Sequence, residues 1–297
     1  MSNAEPTNAQ PERTMLAVPS PPDRPADAHK GTFGTVIVIG GSSTMLGAPA
    51  IAARAALRGG AGLAKLATWG QLLPFCLTIE PSATGVVLPE RGEDVTSALD
   101  AADPKQQAVL AVGPGLGQSR DASRVLSSVL AGPRPVVLDA DGLTLFAETG
   151  RRHPAGAAPL VMTPHPGEFD RLADPLAINE SPTDPATRPP GAARLAQIHH
   201  AVVALKGHQT VVSDGQQQMI NETGGPAMSA AGSGDVLTGL IAALIAQGMP
   251  LLEATALGVH AHGLAGDIWA EQHGPTGMLA RNLADAVPPA LARLRDS

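Results

Sequence analysis

From Gly34 onward the chain repeats one pattern: a short apolar run closes on Gly, Asp or Pro, and a segment of helical periodicity follows. The runs span 35–39, 109–112, 135–138, 160–163 and 202–205, without polar alternation. Such runs mark strands buried on both faces, as in parallel sheets. The intervening periodicity predicts crossover helices over 50–58, 120–130, 192–200, 236–247 and 252–271. Pro49 suits the first turn of its helix, and Gly59-Gly60 would stop it. Strand and helix alternate, which predicts the α/β class with a mainly parallel sheet. One stretch departs from this: 209–213 and 216–220 flank Asp214-Gly215, a hairpin turn that returns Asn221-Glu222-Thr223 towards the strand-end face.

Two segments lack periodicity. Residues 174–190 hold five prolines and predict an extended surface loop. Residues 1–28 are proline-rich and predict a tail, disordered at first and then laid on the surface of a single domain spanning 29–297.

Composition narrows the functional classes. With 43% hydrophobic and 16% charged residues the bulk is globular. Aromatic residues are 2% and Tyr is absent, so the core is aliphatic and the composition argues against base-stacking platforms. A net charge of −7 argues against nucleic-acid or anionic-membrane partners, so any phosphate must be held by loops and helix ends. Lysine occurs only at Lys30, Lys65, Lys105 and Lys206, which makes each position informative. The lone Cys76 excludes an internal disulfide and a multi-cysteine zinc site. No apolar run reaches the ~20 residues of a spanning helix, and no basic-then-apolar leader opens the chain; a soluble, cytoplasmic protein is expected.

In an open α/β sheet, ligands bind beyond the carboxyl ends of the strands, and the candidate motifs fall there. Gly232-Ser233-Gly234-Asp235 precedes an apolar stripe of Val236, Leu237, Leu240, Ile241, Leu244 and Ile245. Glycines admit close backbone approach, and the amides of Gly232, Ser233 and Gly234 would make an anion hole at the start of the helix. Asp235 could deprotonate a hydroxyl attacking a terminal phosphoryl group. The same residues also read as a turn with an aspartate cap, which would contribute about 0.5–2 kcal/mol of stability.

The other turns are individually ambiguous. Gly113-Pro114-Gly115-Leu116-Gly117 lacks dinucleotide-fingerprint spacing, and Gly40-Gly41-Ser42-Ser43-Thr44 through Gly47-Ala48 lacks the Gly-Lys of a P-loop. Each could be a tight packing turn. Thr163-Pro164-His165-Pro166-Gly167-Glu168 fixes an imidazole between prolines, with Glu168 placed to sit near a phosphate-bound Mg²⁺ or to cap a helix. Lys206-Gly207-His208-Gln209-Thr210 offers a scarce cation to a nucleotide phosphate or to solvent. Asp139-Ala140-Asp141 could position Mg²⁺ or cap the next helix. His260 and His262 are two apart on a predicted helix, share no face, and read as packing residues.

Taken in order, these motifs, with His29-Lys30-Gly31-Thr32-Phe33-Gly34 and His262-Gly263-Leu264-Ala265-Gly266-Asp267, resemble the ADP/ATP-dependent NAD(P)H-hydrate dehydratases of the ribokinase-like superfamily. The resemblance runs from about Pro22 to Pro288. It implies a three-layer α/β/α sandwich and removal of water from the (S)-hydrate of NAD(P)H at the expense of ADP or ATP, with Mg²⁺. It places Ala48, Gly115, His165 and Asp235 at hydrate-contacting positions, and Lys206, Gly207, His208, Gln209, Thr210 and Gly234 at nucleotide-contacting ones. It also implies a homo-oligomer, with a tetramer as one form, and, with only a short tail before the core, the stand-alone dehydratase.

The chain departs from the family pattern at Ala231, at Gly225 after Asn221-Glu222-Thr223-Gly224, and at Gly142 after Asp139-Ala140-Asp141. The latter two bear on nucleotide affinity. Competing readings are a small-molecule kinase of the same superfamily, acting on a thiazole, pyrimidine or pyridoxal alcohol, and a nucleotide sensor without turnover.

Overall fold

The strand runs bury both faces because their side chains alternate between two separate cores. In β2 (Thr35–Ile39), Val36 and Val38 enter one core, and Ile37 and Ile39 the other. The computed structural model describes residues 14–90 and 94–295; the expected disorder of the first 13 residues lies outside them.

The chain continues through α1 (Gly47–Arg58), β3 (Leu63–Trp69), α2 (Leu73–Ile79), β4 (Thr84–Leu88), α3 (Val95–Ala102), β5 (Val109–Val112) and α4 (Arg120–Leu130). Then follow β6 (Val136–Leu138), α5 (Asp141–Glu148), β7 (Leu160–Met162), α6 (Pro166–Ala173), α7 (Arg188–His199) and β8 (Val202–Leu205). The hairpin β9 (Val211–Ser213) and β10 (Gln217–Ile220) precedes α8 (Ser233–Ala246), α9 (Leu251–His273) and α10 (Ala280–Arg295). With β1 (Thr14–Met15) the sheet has ten strands, ordered β1-β10-β9-β8-β7-β6-β5-β2-β3-β4. Among the described residues only the pairings of β9 with β8 and with β10 are antiparallel. Helices α1, α8, α9 and α10 cover one face, and α3 to α7 cover the other. This is the mainly parallel α/β sheet that the alternation predicts, in the three-layer α/β/α arrangement that the resemblance implies.

Helix α8 is more central than its predicted stripe. Every residue from Val236 to Ile245 is buried, because α1 and α9 pack on flanks that would otherwise face water. Gly239 permits this: a Cβ there would lie 2.0 Å from the Ala52 carbonyl oxygen of α1.

Three expectations need correction. The segment 174–190 is not wholly an extended loop: a 3₁₀ turn forms at Asp174–Leu176, and α7 begins at Arg188 with Pro189-Pro190 in its first turn. Proline there loses no hydrogen bond, and the buried Arg188 ties the helix to the carbonyls of Leu205, Lys206 and His208. The described part of the tail is not merely laid on the surface, since β1 pairs in parallel with β10 and Pro21 is buried. The predicted helix at 236–247 begins earlier, at Ser233, so the glycine turn is itself the first helical turn.

Candidate active site

Three strand-end turns meet because their glycines remove side chains at the points of contact. Gly113, with φ +121, presents its Cα to the Asp139 carbonyl; a Cβ would be 1.8 Å from that oxygen. Gly40 is equally tight, a Cβ there lying 2.1 Å from the Pro114 carbonyl oxygen. Gly115 at φ +62 brings its backbone against Ala48 and Met45. The two expected hydrate-contacting positions Ala48 and Gly115 are therefore neighbours. Between Asp139 and Asp141 the backbone turns sharply at Ala140, with φ 49 and ψ −124. The two carboxylates consequently diverge. Asp141 accepts the Gly117 N–H at 2.8 Å and holds the glycine turn, whereas Asp139 points into the sheet-end cluster.

That cluster is the electrostatic centre of the site. Asp139 accepts Lys206 Nζ at 2.6 Å on one oxygen and Thr238 Oγ1 at 2.7 Å on the other. Burial alone would raise this carboxyl, yet Lys206, Thr238 and Thr163 hold it below the usual carboxylate range. Burial likewise opposes the Lys206 charge, and Asp139 followed by Glu168 keeps it protonated. Glu168 lies 3.8 Å from the same ammonium. Its carboxyl is pushed up to about 7, first by burial, with Lys206 pulling it back and Asp139 raising it. Asp235 is also pushed up to about 7, by burial and then by the charge on Asp139, against Lys206. A carboxyl poised near neutrality is suited to taking a proton.

His165 does not hang free. It is the N-cap of α6, its Nδ1 accepting the N–H groups of Gly167 at 3.0 Å and Glu168 at 3.3 Å, while Glu168 accepts the His165 N–H at 2.8 Å. An Nδ1 that accepts leaves the neutral ring's proton on Nε2, and burial followed by Lys206 lowers the imidazole pKa. Its side chain remains 52% exposed, and its Nε2 lies 3.4 Å from Glu168 Oε1.

The first turn of α8 holds Ser233, Gly234 and Asp235, where amides have no intrahelical acceptor. Asp235 is thus the third helical residue, and the N-cap is Gly232 at φ +87. Of the three expected anion-hole residues, Ser233 gives its N–H to the Ala230 carbonyl at 3.3 Å. His262, expected only to pack, holds this turn. Its Nε2 is 2.9 Å from the Ser233 carbonyl, and a ring nitrogen meets a carbonyl only by donating. Burial depresses its pKa to about 4, so it stays neutral. We expect His262→Phe to lose about 1–3 kcal/mol of stability and to weaken ATP binding; denaturant titration together with calorimetry checks both, and unchanged ATP affinity would remove His262 from the site.

A cavity of about 570 Å³ opens beside this turn. Lys206, Gly207, His208, Thr210, Ser233 and Gly234 line it, as do Asn221, Thr223, Gly224, Gly225 and His262. Gln209 lies outside the lining, as do Ala48, Gly115, His165, Glu168 and Asp235. Gly234 sits at the boundary between the cavity and the Asp139–Lys206 pair. The Asn221–Gly224 wall is anchored to α9: Asn221 Oδ1 is 3.2 Å from His260 Nδ1, and the Gly224 N–H reaches Asp267 at 2.8 Å. Met228, Leu237 and Val259 give the lining an apolar part, with Pro226, Ser229 and Gly263; Met228 and Val259 belong to no motif that would have found them.

The carboxylates do not form a metal cage. Among the described residues no three His, Cys, Asp or Glu side chains come together to hold an ion. Both oxygens of Asp139 are engaged, and Glu168, expected near Mg²⁺, faces its own helix cap and an ammonium. An ion here fits only as part of a nucleotide's phosphates, the usual habit of Mg²⁺.

The family model for NAD(P)H-hydrate dehydratase matches residues 36–289. The chain belongs to the NAD(P)H-hydrate dehydratase family. A bifunctional NAD(P)H-hydrate repair enzyme of Thermofilum pendens is 38% identical over 94% of this chain and 53% of its own length. The chain spans about half the length of the first curated relatives it matches. An ADP-dependent (S)-NAD(P)H-hydrate dehydratase of Neisseria meningitidis is 38% identical, over 92% of this chain and 88% of its own. The crystal structure of the ADP/ATP-dependent NAD(P)H-hydrate dehydratase from Bacillus subtilis, co-crystallized with ATP/Mg²⁺, superposes with a TM-score of 0.76 at 30% identity, covering 93% of this chain and 95% of that one. The dehydratase-family fold is accordingly the ribokinase-like sandwich. Among the described residues no helix is long and apolar enough to cross a membrane.

Proposed function

We propose that this chain dehydrates (S)-NAD(P)H hydrate at the expense of ADP or ATP. The observation that carries this is Asp235, a carboxyl raised to about 7 in the first turn of α8, near the Lys206 ammonium and a cavity wide enough for a nucleotide. Hydroxide is a poor leaving group, whereas a phosphorylated hydroxyl leaves readily. Ionised Asp235 takes the proton of the hydrate's C6 hydroxyl as that oxygen attacks the terminal phosphoryl group. The new O–P bond forms as the bridging P–O bond breaks, releasing AMP from ADP or ADP from ATP. Cleavage of the C6–O bond then expels phosphate, and loss of a C5 proton restores the ring double bond. The amides of Gly232 and Gly234 and the Lys206 ammonium stabilise the phosphoryl charge, while the Ser233 N–H, given to the Ala230 carbonyl, holds the turn. Gly207, His208, Gln209 and Thr210 belong to the nucleotide side, and Ala48, Gly115 and His165 to the hydrate side. Mg²⁺ bound to the nucleotide would neutralise phosphate charge.

The test is recovery of reduced-nicotinamide absorbance from NADH hydrate with Mg²⁺ and either nucleotide. Because Asp235 must be ionised, kcat/KM should rise about tenfold per pH unit below about 7 and level off above it. Absence of recovery with both nucleotides sinks the proposal. Phosphorylation of an alcohol without elimination would instead mark a small-molecule kinase, and binding without turnover a sensor.

A further inference from the structure

Asp139 closes β6 and is 1% exposed. It is outside the cavity lining, yet it joins the two elements that carry the phosphoryl chemistry. One oxygen takes the Lys206 ammonium at the end of β8, and the other takes the Thr238 hydroxyl, three residues beyond Asp235 in α8. Lys206 Nζ and Asp139 Oδ2 lie 3.3 and 3.5 Å from the point a Cβ on Gly234 would occupy. The carboxylate therefore sits directly behind the first turn of α8, with the ammonium beside it.

Resting on the reaction proposed above, we infer that Asp139 is the positioning residue of the phosphoryl site. By gripping Lys206 and Thr238 at once, it aims the ammonium across the Gly234 amide and fixes the depth of α8 against β8.

Two features separate this from a merely structural ion pair. A buried pair contributes little stability compared with well-packed apolar residues, so folding alone does not call for one here. The grip is also geometrically over-determined: the Asp139 backbone is trapped against Gly113, and the bend at Ala140 turns its neighbour Asp141 away to a different partner. The side chain consequently has one direction available. Other charged groups around the ammonium are Glu168 at 3.8 Å and Asp235, whose charge also acts on it. Neither is hydrogen-bonded to Lys206, so its placement depends on Asp139.

The experiment compares Asp139→Asn, Thr238→Val and Lys206→Met, singly and in pairs, by turnover of NADH hydrate, by calorimetric ATP binding and by melting temperature. Asp139→Asn should cut kcat about 100-fold, the scale of a one-ångström misplacement, while KM for the hydrate stays within about threefold. Thr238→Val should cut kcat about tenfold. Asp139→Asn/Thr238→Val should be no slower than Asp139→Asn, and Asp139→Asn/Lys206→Met no slower than Lys206→Met, because groups acting as one unit are not additive. ATP affinity should follow the same non-additive pattern. Losses that multiply, or that track melting temperature, overturn the assignment. So does an Asp139→Asn variant with wild-type kcat. Should Asp139→Asn fail to fold, the Asp139→Asn/Lys206→Met pair, which leaves no unpaired ammonium, and Thr238→Val decide it. If the unaltered protein converts no hydrate, the proposed reaction falls, and the ATP-binding cycle alone still judges the clamp: non-additivity supports it, and additivity or no change refutes it.

Discussion

Asp235→Asn is expected to lower hydrate turnover by about 100- to 10,000-fold while ADP and ATP still bind. The same substitution should stabilise the protein above neutrality. A carboxyl whose folded pKa is about 7 and whose ordinary value is 3.8 is easier to ionise unfolded than folded. Its contribution to stability is therefore present below the unfolded value, declines as pH rises, and is lost by about pH 7. Asn does not titrate. The variant should melt higher than the unaltered protein at pH 8, and the gap should close towards pH 4. Melting curves at both pH values, beside turnover at pH 8, check this. A variant that melts lower at pH 8 would show that Asp235 is not an uncompensated buried acid. Stability sacrificed where chemistry is performed is a common trade in enzymes.

Gly113→Ala should have the largest effect on folding. Its φ of +121 is poorly available to a residue with a Cβ, and that Cβ would overlap the Asp139 carbonyl at 1.8 Å. Backbone strain and overpacking together predict a loss of about 2–5 kcal/mol. Gly150 supplies the control: φ is +60 and nothing lies within 4 Å of its added Cβ, so Gly150→Ala should cost only the conformational part, about 1–2 kcal/mol. Denaturant midpoints separate the two. Because β5 and β6 meet through this contact, Gly113→Ala should also displace Asp139 and reduce ATP affinity. Equal losses at both glycines would mean that the contact with Asp139 carries no energy.

The strands with unbroken apolar runs are legible in sequence because a strand buried on two faces has no polar position to disguise it. β3 and β4 are less so. Lys65 interrupts the first, its ammonium reaching the Ala102 carbonyl at 2.5 Å, and Gly85 interrupts the second to admit Leu73. Helices α5 and α6, of eight residues each, are too short to show a period. In the site, Gly113, Gly115 and Gly232 are legible because positive φ demands glycine. Ala140 adopts positive φ without that signature. The Asp139–Lys206 pair joins residues 67 apart, a relation that only the sheet order β8-β7-β6 creates. The role of His262 is hidden for the same reason: its partner, Ser233, is 29 residues away and is a backbone carbonyl, which any residue would offer.

The pairing of β1 with β10 has a consequence for how the protein meets copies of itself. An unpaired strand rim is a template on which other chains can extend a sheet. Among the described residues the last ladder at this end is two residues long and is followed by coil up to the buried Pro21, so it offers an incoming strand few amides. The opposite rim, β4, is five residues long, pairs among the described residues only with β3, and carries Val87 at 57% exposure. Aggregation seeded by edge pairing would therefore be polar, starting at β4 and stopping at β1, and a charge placed at Val87 would be the economical way to solubilise a concentrated preparation.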